Sequence, residues 1–203
     1  RYSGDSLQFE SIYFVNDYDN LVGTVTASTG GGGQIGDQFD GGEVHVKGLE
    51  VLAGKTLGDV AESGFAVPLS LAYTYADAKF RTDFVSGYEP WGTVTAGDRL
   101  PYLPTHQLSM IAGVELPSVR VNASINWVSE ARATAGQGPI AVADRIDART
   151  LVDLSAEYDV AQHLSIFGTV QNLFDETYNA GFSPSGARPG APRLWLVGLR
   201  SRI

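Results

Sequence analysis

The chain has 203 residues, enough for one domain with a sizeable core, and its 23 acidic against 14 basic residues leave a formal net charge of -9. That balance excludes a nucleic-acid surface, which needs clustered Lys and Arg against phosphates. The absence of cysteine excludes a disulfide framework and a thiolate metal centre.

No apolar run approaches the ~18 residues of a membrane-spanning helix. A transmembrane barrel hides its hydrophobicity in every second residue, so a mean hydropathy of -0.04 fits one as well as it fits a water-soluble chain. Residues 7–16 read as a strand with apolar side chains on both faces, so its outward side is not assigned. Residues 43–56 form a weaker strand. Residues 65–76 alternate through Val67, Leu69, Leu71, Tyr73 and Tyr75. Residues 106–116 alternate through Leu108, Met110, Ala112, Val114 and Leu116, and Pro117-Ser118 is a tight turn. Residues 119–127 are the cleanest strand: Val119, Val121, Ala123, Ile125 and Trp127 face one way, and Arg120, Asn122, Ser124 and Asn126 the other. Residues 150–158 set Val152, Leu154, Ala156 and Tyr158 against Asp153, Ser155 and Glu157. Residues 163–173 place Leu164, Ile166 and Val170 on one side, and residues 193–203 are the last strand.

The connections sort by length. Those at 57–64, 117–118 and 159–162 are short, and those at 17–42, 77–104, 133–148 and 174–191 are long and rich in Gly, Pro, Ser and Asp. Strict short–long alternation is the asymmetry of an outer-membrane barrel, with short periplasmic turns and long outer loops. Tyr73, Tyr75, Trp127, Tyr158 and Trp195 fall near strand ends, where an aromatic girdle lies. The pattern predicts an all-β chain: an antiparallel up-and-down transmembrane β-barrel segment of about eight strands, drawn in isolation as an open, curved sheet. A self-contained eight-stranded barrel acting as adhesin, anchor or channel is the alternative, and a soluble β-sandwich fits the strand lengths less well.

The stretch Gln171-Asn172-Leu173-Phe174-Asp175-Glu176-Thr177-Tyr178, followed by Gly190-Ala191-Pro192-Arg193, resembles the end of TonB-dependent outer-membrane receptors. In that family an Asn-Leu-Phe-Asp-x-x-Tyr block closes the next-to-last barrel strand, and a Gly-x-Pro-Arg turn leads into the final one. The segments 14–21, 41–50 and 100–106 resemble the family in the same order. The resemblance implies that residues 1–203 are the C-terminal portion of a receptor barrel in the outer membrane of a Gram-negative bacterium. An N-terminal plug and energy-coupling box would lie outside it, so the chain would not transport alone. Family members end in Phe with an aromatic two residues earlier; this chain has Ile203 and Ser201 there.

The resemblance is nearest to ferric citrate and other siderophore receptors, on the glycine-rich loop before Gln38-Phe39-Asp40-Gly41-Gly42. It implies a ferric chelate as substrate, with iron carried as cargo and no resident cofactor. It further implies the TonB energy-coupling complex, the barrel-assembly machinery and outer-membrane lipid as partners. A carboxylate-rich chelate calls for guanidinium forks and amide donors. Candidates are Gln34 and Gln38 in the first long loop and Arg81 and Arg99 in the second. Asn172, Leu173, Phe174, Asp175, Tyr178, Gly190, Pro192 and Arg193 are read as structural. Nothing in the chain reads as catalytic. His45, His106 and His163 lack metal-site spacing, Asp144, Asp147 and Asp153 straddle a loop and a strand, and the Gly30–Gly33 run lacks a phosphate loop's Lys.

Overall fold

Period-two alternation with β-branched and aromatic residues sets eight long strands: β1 (Leu7–Tyr18), β2 (Val44–Asp59), β3 (Phe65–Phe80), β4 (His106–Glu115), β5 (Val119–Val128), β6 (Arg149–Ala161), β7 (Leu164–Gln171) and β8 (Leu194–Ser201). The computed structural model describes residues 2–3, 7–26, 34–88, 91–182 and 186–201. The glycine run and the terminal Ile203 lie outside the described residues. A two-residue segment, Tyr2–Ser3, pairs with the outer edge of β1 and makes the sheet nine-stranded. Spatial order follows chain order and every ladder is antiparallel. Among the described residues no ladder joins β1 to β8, so the sheet is open. A self-closed eight-stranded barrel is therefore not what forms.

Register carries the two faces from β1 to β6 without a slip, and the β6–β7 ladder shifts only at its turn end, between Asp159 and Ala161. One cross-strand row reads Phe9, Ala53, Leu71, Met110, Ile125 and Val152. Its immediate neighbour reads Gln8, Gly54, Ser70, Ile111, Ser124 and Asp153. The first row belongs to the apolar, lipid-facing side and the second to the lumen side. This assigns β1, whose own sequence was ambiguous: Leu7, Phe9, Tyr13 and Val15 face outward. The inward Phe14 is explained by Gly48 directly opposite, whose missing side chain makes room for the ring. The same device recurs where Phe167 covers Gly198 and Phe39 covers Gly23, each ring lying over the glycine paired with it.

The short connections are tight. β2 runs on to Asp59 beyond the expected end at 56, and a single helical turn, Val60–Ser63, makes the connection. Asp59 caps it by accepting the Ala61 amide at 2.7 Å, and Gly64 ends it at φ 77°, a left-handed conformation that suits glycine. The long loops are not irregular either. Each carries its own two-stranded ribbon: Val22–Thr24 with Gln38–Asp40, Phe84–Val85 with Thr93–Val94, Ala131–Arg132 with Arg145–Ile146, and Asn179–Gly181 with Arg188–Pro189. The fully buried side chains gather at this loop end. Val44, Phe80 and Val94 pack with Leu21, Phe84, Trp91 and Leu100, and a second cluster joins Ala131, Ala133 and Ile146 to Phe182.

Candidate functional site

Strand alternation continues to the tips and sorts the loop end into an inner and an outer side. Val44, Ala78 and Phe80 occupy inward positions, and the first two long loops fold over them. Phe39 of the first loop stacks on Tyr88 of the second at 4.7 Å between ring centres and meets Trp91 edge-on at 5.4 Å. Gln38 and Asp40 flank Phe39 in its ribbon and are exposed. Gln34 sits four residues before Gln38, its backbone N–H donating to the Asp37 carboxylate at 2.7 Å. Both glutamines thus stand on a loop anchored by aromatic packing above the lumen side.

The opposite parity faces outward. Asp17, His45, Lys79 and Arg99 form one cross-strand row, one step beyond the row of Val15, Lys47 and Asp77. The girdle lies below it: His106 packs against Tyr73, Tyr75 and Trp127, and its Nδ1 is 2.8 Å from the Tyr73 hydroxyl. Arg81 donates to Asp17 at 3.1 Å, and Asp17 lies 2.7 Å from His45 Nδ1. Arg99 donates to Thr105 Oγ1 at 3.2 Å. The four candidate ligand residues therefore split. Gln34 and Gln38 share the first loop, while Arg81 and Arg99 are turned to the lipid-facing side of the rim. Arg132 was not singled out from sequence; it is 8% exposed and its Nε is buried without a partner. Its signal was a lone Arg between two alanines at a ribbon start, which nothing distinguishes from a solvated loop cation.

The Asn172 block is a latch at the base of the fourth loop. Asn172 adopts φ 49°, is 4% exposed, and donates from Nδ2 to the carbonyls of Glu176 and Ala191, each at 3.0 Å. Its Oδ1 accepts the Glu176 amide at 2.8 Å, and its own amide donates to Asp153 at 2.8 Å. Asp175, at φ 55°, accepts the Arg193 amide at 2.9 Å, and Arg193 Nη1 donates to the Leu173 carbonyl at 3.3 Å. Tyr178 lies over Gly190, whose amide donates back to the Tyr178 carbonyl at 2.9 Å, and Arg149 stacks on the same ring at 5.2 Å. Phe174 is 73% exposed beside these bonds. Pro192 lies between Ala191, whose carbonyl accepts from Asn172, and Arg193, whose amide donates to Asp175. The two ends of the long loop are thereby tied together, and the motif residues act on backbone.

On the lumen side near the short turns, Arg120 donates to Asp159 at 2.9 Å and lies 3.4 Å from Glu157, which Arg200 also engages at 2.9 Å. Ser165 adds a 2.7 Å bond to Asp159. These side chains satisfy one another and line a wet wall. Among the described residues no group of His and carboxylates is arranged to hold a metal ion. Asp147 accepts the Asn179 amide at 2.8 Å, and Asp153 is engaged by the Asn172 amide and by Ser124, so neither forms a carboxylate pair.

The register, the girdle and the loop asymmetry define a segment of an outer-membrane barrel wall. The family model "TonB dependent receptor-like, beta-barrel" matches residues 1–173, and the chain belongs to that family, whose members are outer-membrane receptors of Gram-negative bacteria and not enzymes. It is similar to the metal-pseudopaline receptor CntO of Pseudomonas aeruginosa, at 28% identity over 134 residues, 63% of this chain and 17% of that one. Among solved structures it resembles the ferric-catecholate import receptor Fiu of E. coli K12, with TM-score 0.67 and 20% identity over 97% of this chain and 25% of Fiu. It also resembles the siderophore receptor PiuA of Acinetobacter baumannii, with TM-score 0.70 and 16% identity over 98% of this chain and 26% of PiuA. The chain thus spans about a quarter or less of the length of these relatives.

Proposed function

We propose that this sheet is the C-terminal part of a larger barrel whose receptor imports a metal chelate across the outer membrane, with ferric citrate as the first substrate to test. The observation that carries this reading is the inward-folded loop cap, in which Phe39, Tyr88 and Trp91 hold exposed Gln34 and Gln38 above the lumen side. Amide donors on an anchored loop suit a carboxylate-rich chelate. The names of the relatives, which speak of ferric catecholate, siderophores and metal–pseudopaline, support a chelate as the substrate class. In this reading a plug domain and further strands belong to the same receptor. The TonB energy-coupling complex moves the plug, and the barrel-assembly machinery inserts the wall. Arg81 and Arg99, the other candidates, face the rim's outer side, so the substrate contacts are assigned to the two glutamines first.

The test is equilibrium binding of ferric citrate to the complete receptor. Gln34→Ala and Gln38→Ala each weaken binding several-fold, as expected for a lost hydrogen bond to a charged ligand. Unchanged affinity in both removes the loop from the substrate site, and binding of a catecholate chelate in place of citrate moves the receptor to another substrate.

A further inference from the structure

We propose that an outward-facing recess at the outer rim, between the second and third long loops, binds the phosphate headgroup of an outer-leaflet lipid. The recess, of about 330 Å³, is lined by Arg99, Thr105, His106, Ser129, Glu130 and Arg132. Its orientation follows from register. Arg99 pairs with Lys79, which continues the outward series of Tyr75 and Asp77 at every second residue of β3. Residues opposed across an antiparallel pair project to the same side. On its other edge Arg99 pairs with Gly136, and a side chain at Gly136 would collide with Nη1 of Arg132. The Arg132 guanidinium therefore lies on the same outward side. His106, opposite Tyr75, and Ser129, whose amide donates to the His106 carbonyl at 2.9 Å, complete the floor.

Two observations point to an anion there. Lys79 and Arg81, nearby in the rim, are already paired with Asp77 and Asp17, each at 3.1 Å. Arg99 and Arg132 have no carboxylate partner among the described residues, although the chain as a whole carries a net charge of -9. Arg132 is held by one bond, Nη2 to the Gly138 carbonyl at 2.9 Å, and its buried Nε is left unpartnered. A buried guanidinium donor without an acceptor is costly, and a phosphate oxygen is the acceptor that a guanidinium fork matches. Glu130 is the one carboxylate on the lining, and it is exposed.

Placement selects the lipid as the source of that phosphate. The recess opens above Tyr73, Tyr75, His106 and Trp127, the aromatic belt that marks headgroup level. Below the belt run the exposed apolar side chains of Met110 and Ile125, which offer a track for acyl chains. The lumen, where a soluble substrate passes, is on the other face of the same strands. The inference stands on the outward face and does not depend on the chelate reading.

The experiment titrates the complete receptor, stripped of lipid in detergent, with a phosphorylated outer-leaflet glycolipid and with its enzymatically dephosphorylated form. Bound lipid is counted by native mass spectrometry. The wild type retains the phosphorylated lipid, and Arg99→Ala weakens it roughly tenfold, the loss expected for one charge-assisted hydrogen bond. Arg132→Lys, which keeps the charge and removes the fork, weakens it as well and guards against misfolding of a deeper truncation. Equal retention of the two lipid forms, or unchanged retention in both variants, overturns the proposal. So does displacement of the lipid by inorganic phosphate at equal concentration.

Discussion

At the scale of single residues, the chain invests its buried polar bonds in backbone geometry. Asn172 shows this most clearly, because one side chain satisfies three groups at the two ends of a long loop while its backbone takes a left-handed conformation. Asn172→Ala strands those groups and places an alanine at positive φ, so it should cost about 2–4 kcal/mol of stability. Asn172→Gly relieves the backbone and should cost less, a difference readable as the unfolding midpoint of the complete receptor in detergent. Equal midpoints for the two variants would mean that the conformation at Asn172 carries no strain. Gly48 makes the complementary case. A side chain there meets the Phe14 ring and the Tyr75 carbonyl, so Gly48→Val should destabilise by roughly 1–3 kcal/mol, and the added Phe14→Ala should recover part of that loss.

At the scale of the element, alternation decides which substitutions a strand accepts. In β5, Ile125 faces lipid and Ser124 faces the lumen. Ile125→Arg should reduce folding into vesicles by about 2–4 kcal/mol near the bilayer midplane, whereas Ser124→Arg should leave it nearly unchanged, measured by gel-shift folding yield. The same alternation made every long strand legible in advance, to within a few residues at each end. What escaped has physical reasons. The faces of β1 were hidden because Ile12 and Phe14 are apolar yet inward, and only the glycine across the ladder explains Phe14. The loop ribbons were hidden because two- and three-residue pairings such as Phe84–Val85 with Thr93–Val94 are too short to show a period. In the candidate site the sequence placed Gln34 and Gln38 on the first long loop, and the structure leaves both exposed there. The facing of Arg81 and Arg99 was not legible, because it depends on Asp17 and Lys79, distant in sequence and brought near by register.

At the scale of the whole molecule, the open sheet leaves two long edges. β8 offers Trp195, Val197 and Leu199 with no strand beyond it among the described residues, Val197 being 79% exposed. Unpaired backbone at an edge is unstable in lipid and templates association. The chain expressed alone should therefore form oligomers in detergent that the complete receptor does not, detected by sedimentation; a stable monomer of the isolated chain would contradict this. The loop end has a different kind of wholeness. Phe39 binds the first loop to the second through Tyr88 and Trp91. Tyr102 of the second loop takes a bond from Phe182 of the fourth and donates its amide to Arg132 of the third. A loop transplanted alone from another barrel would arrive without these contact partners. The unit that recombination can exchange intact at this end is the set of loops together, and a crossover that splits the first from the second would leave the wall paired and Phe39 without Tyr88 and Trp91.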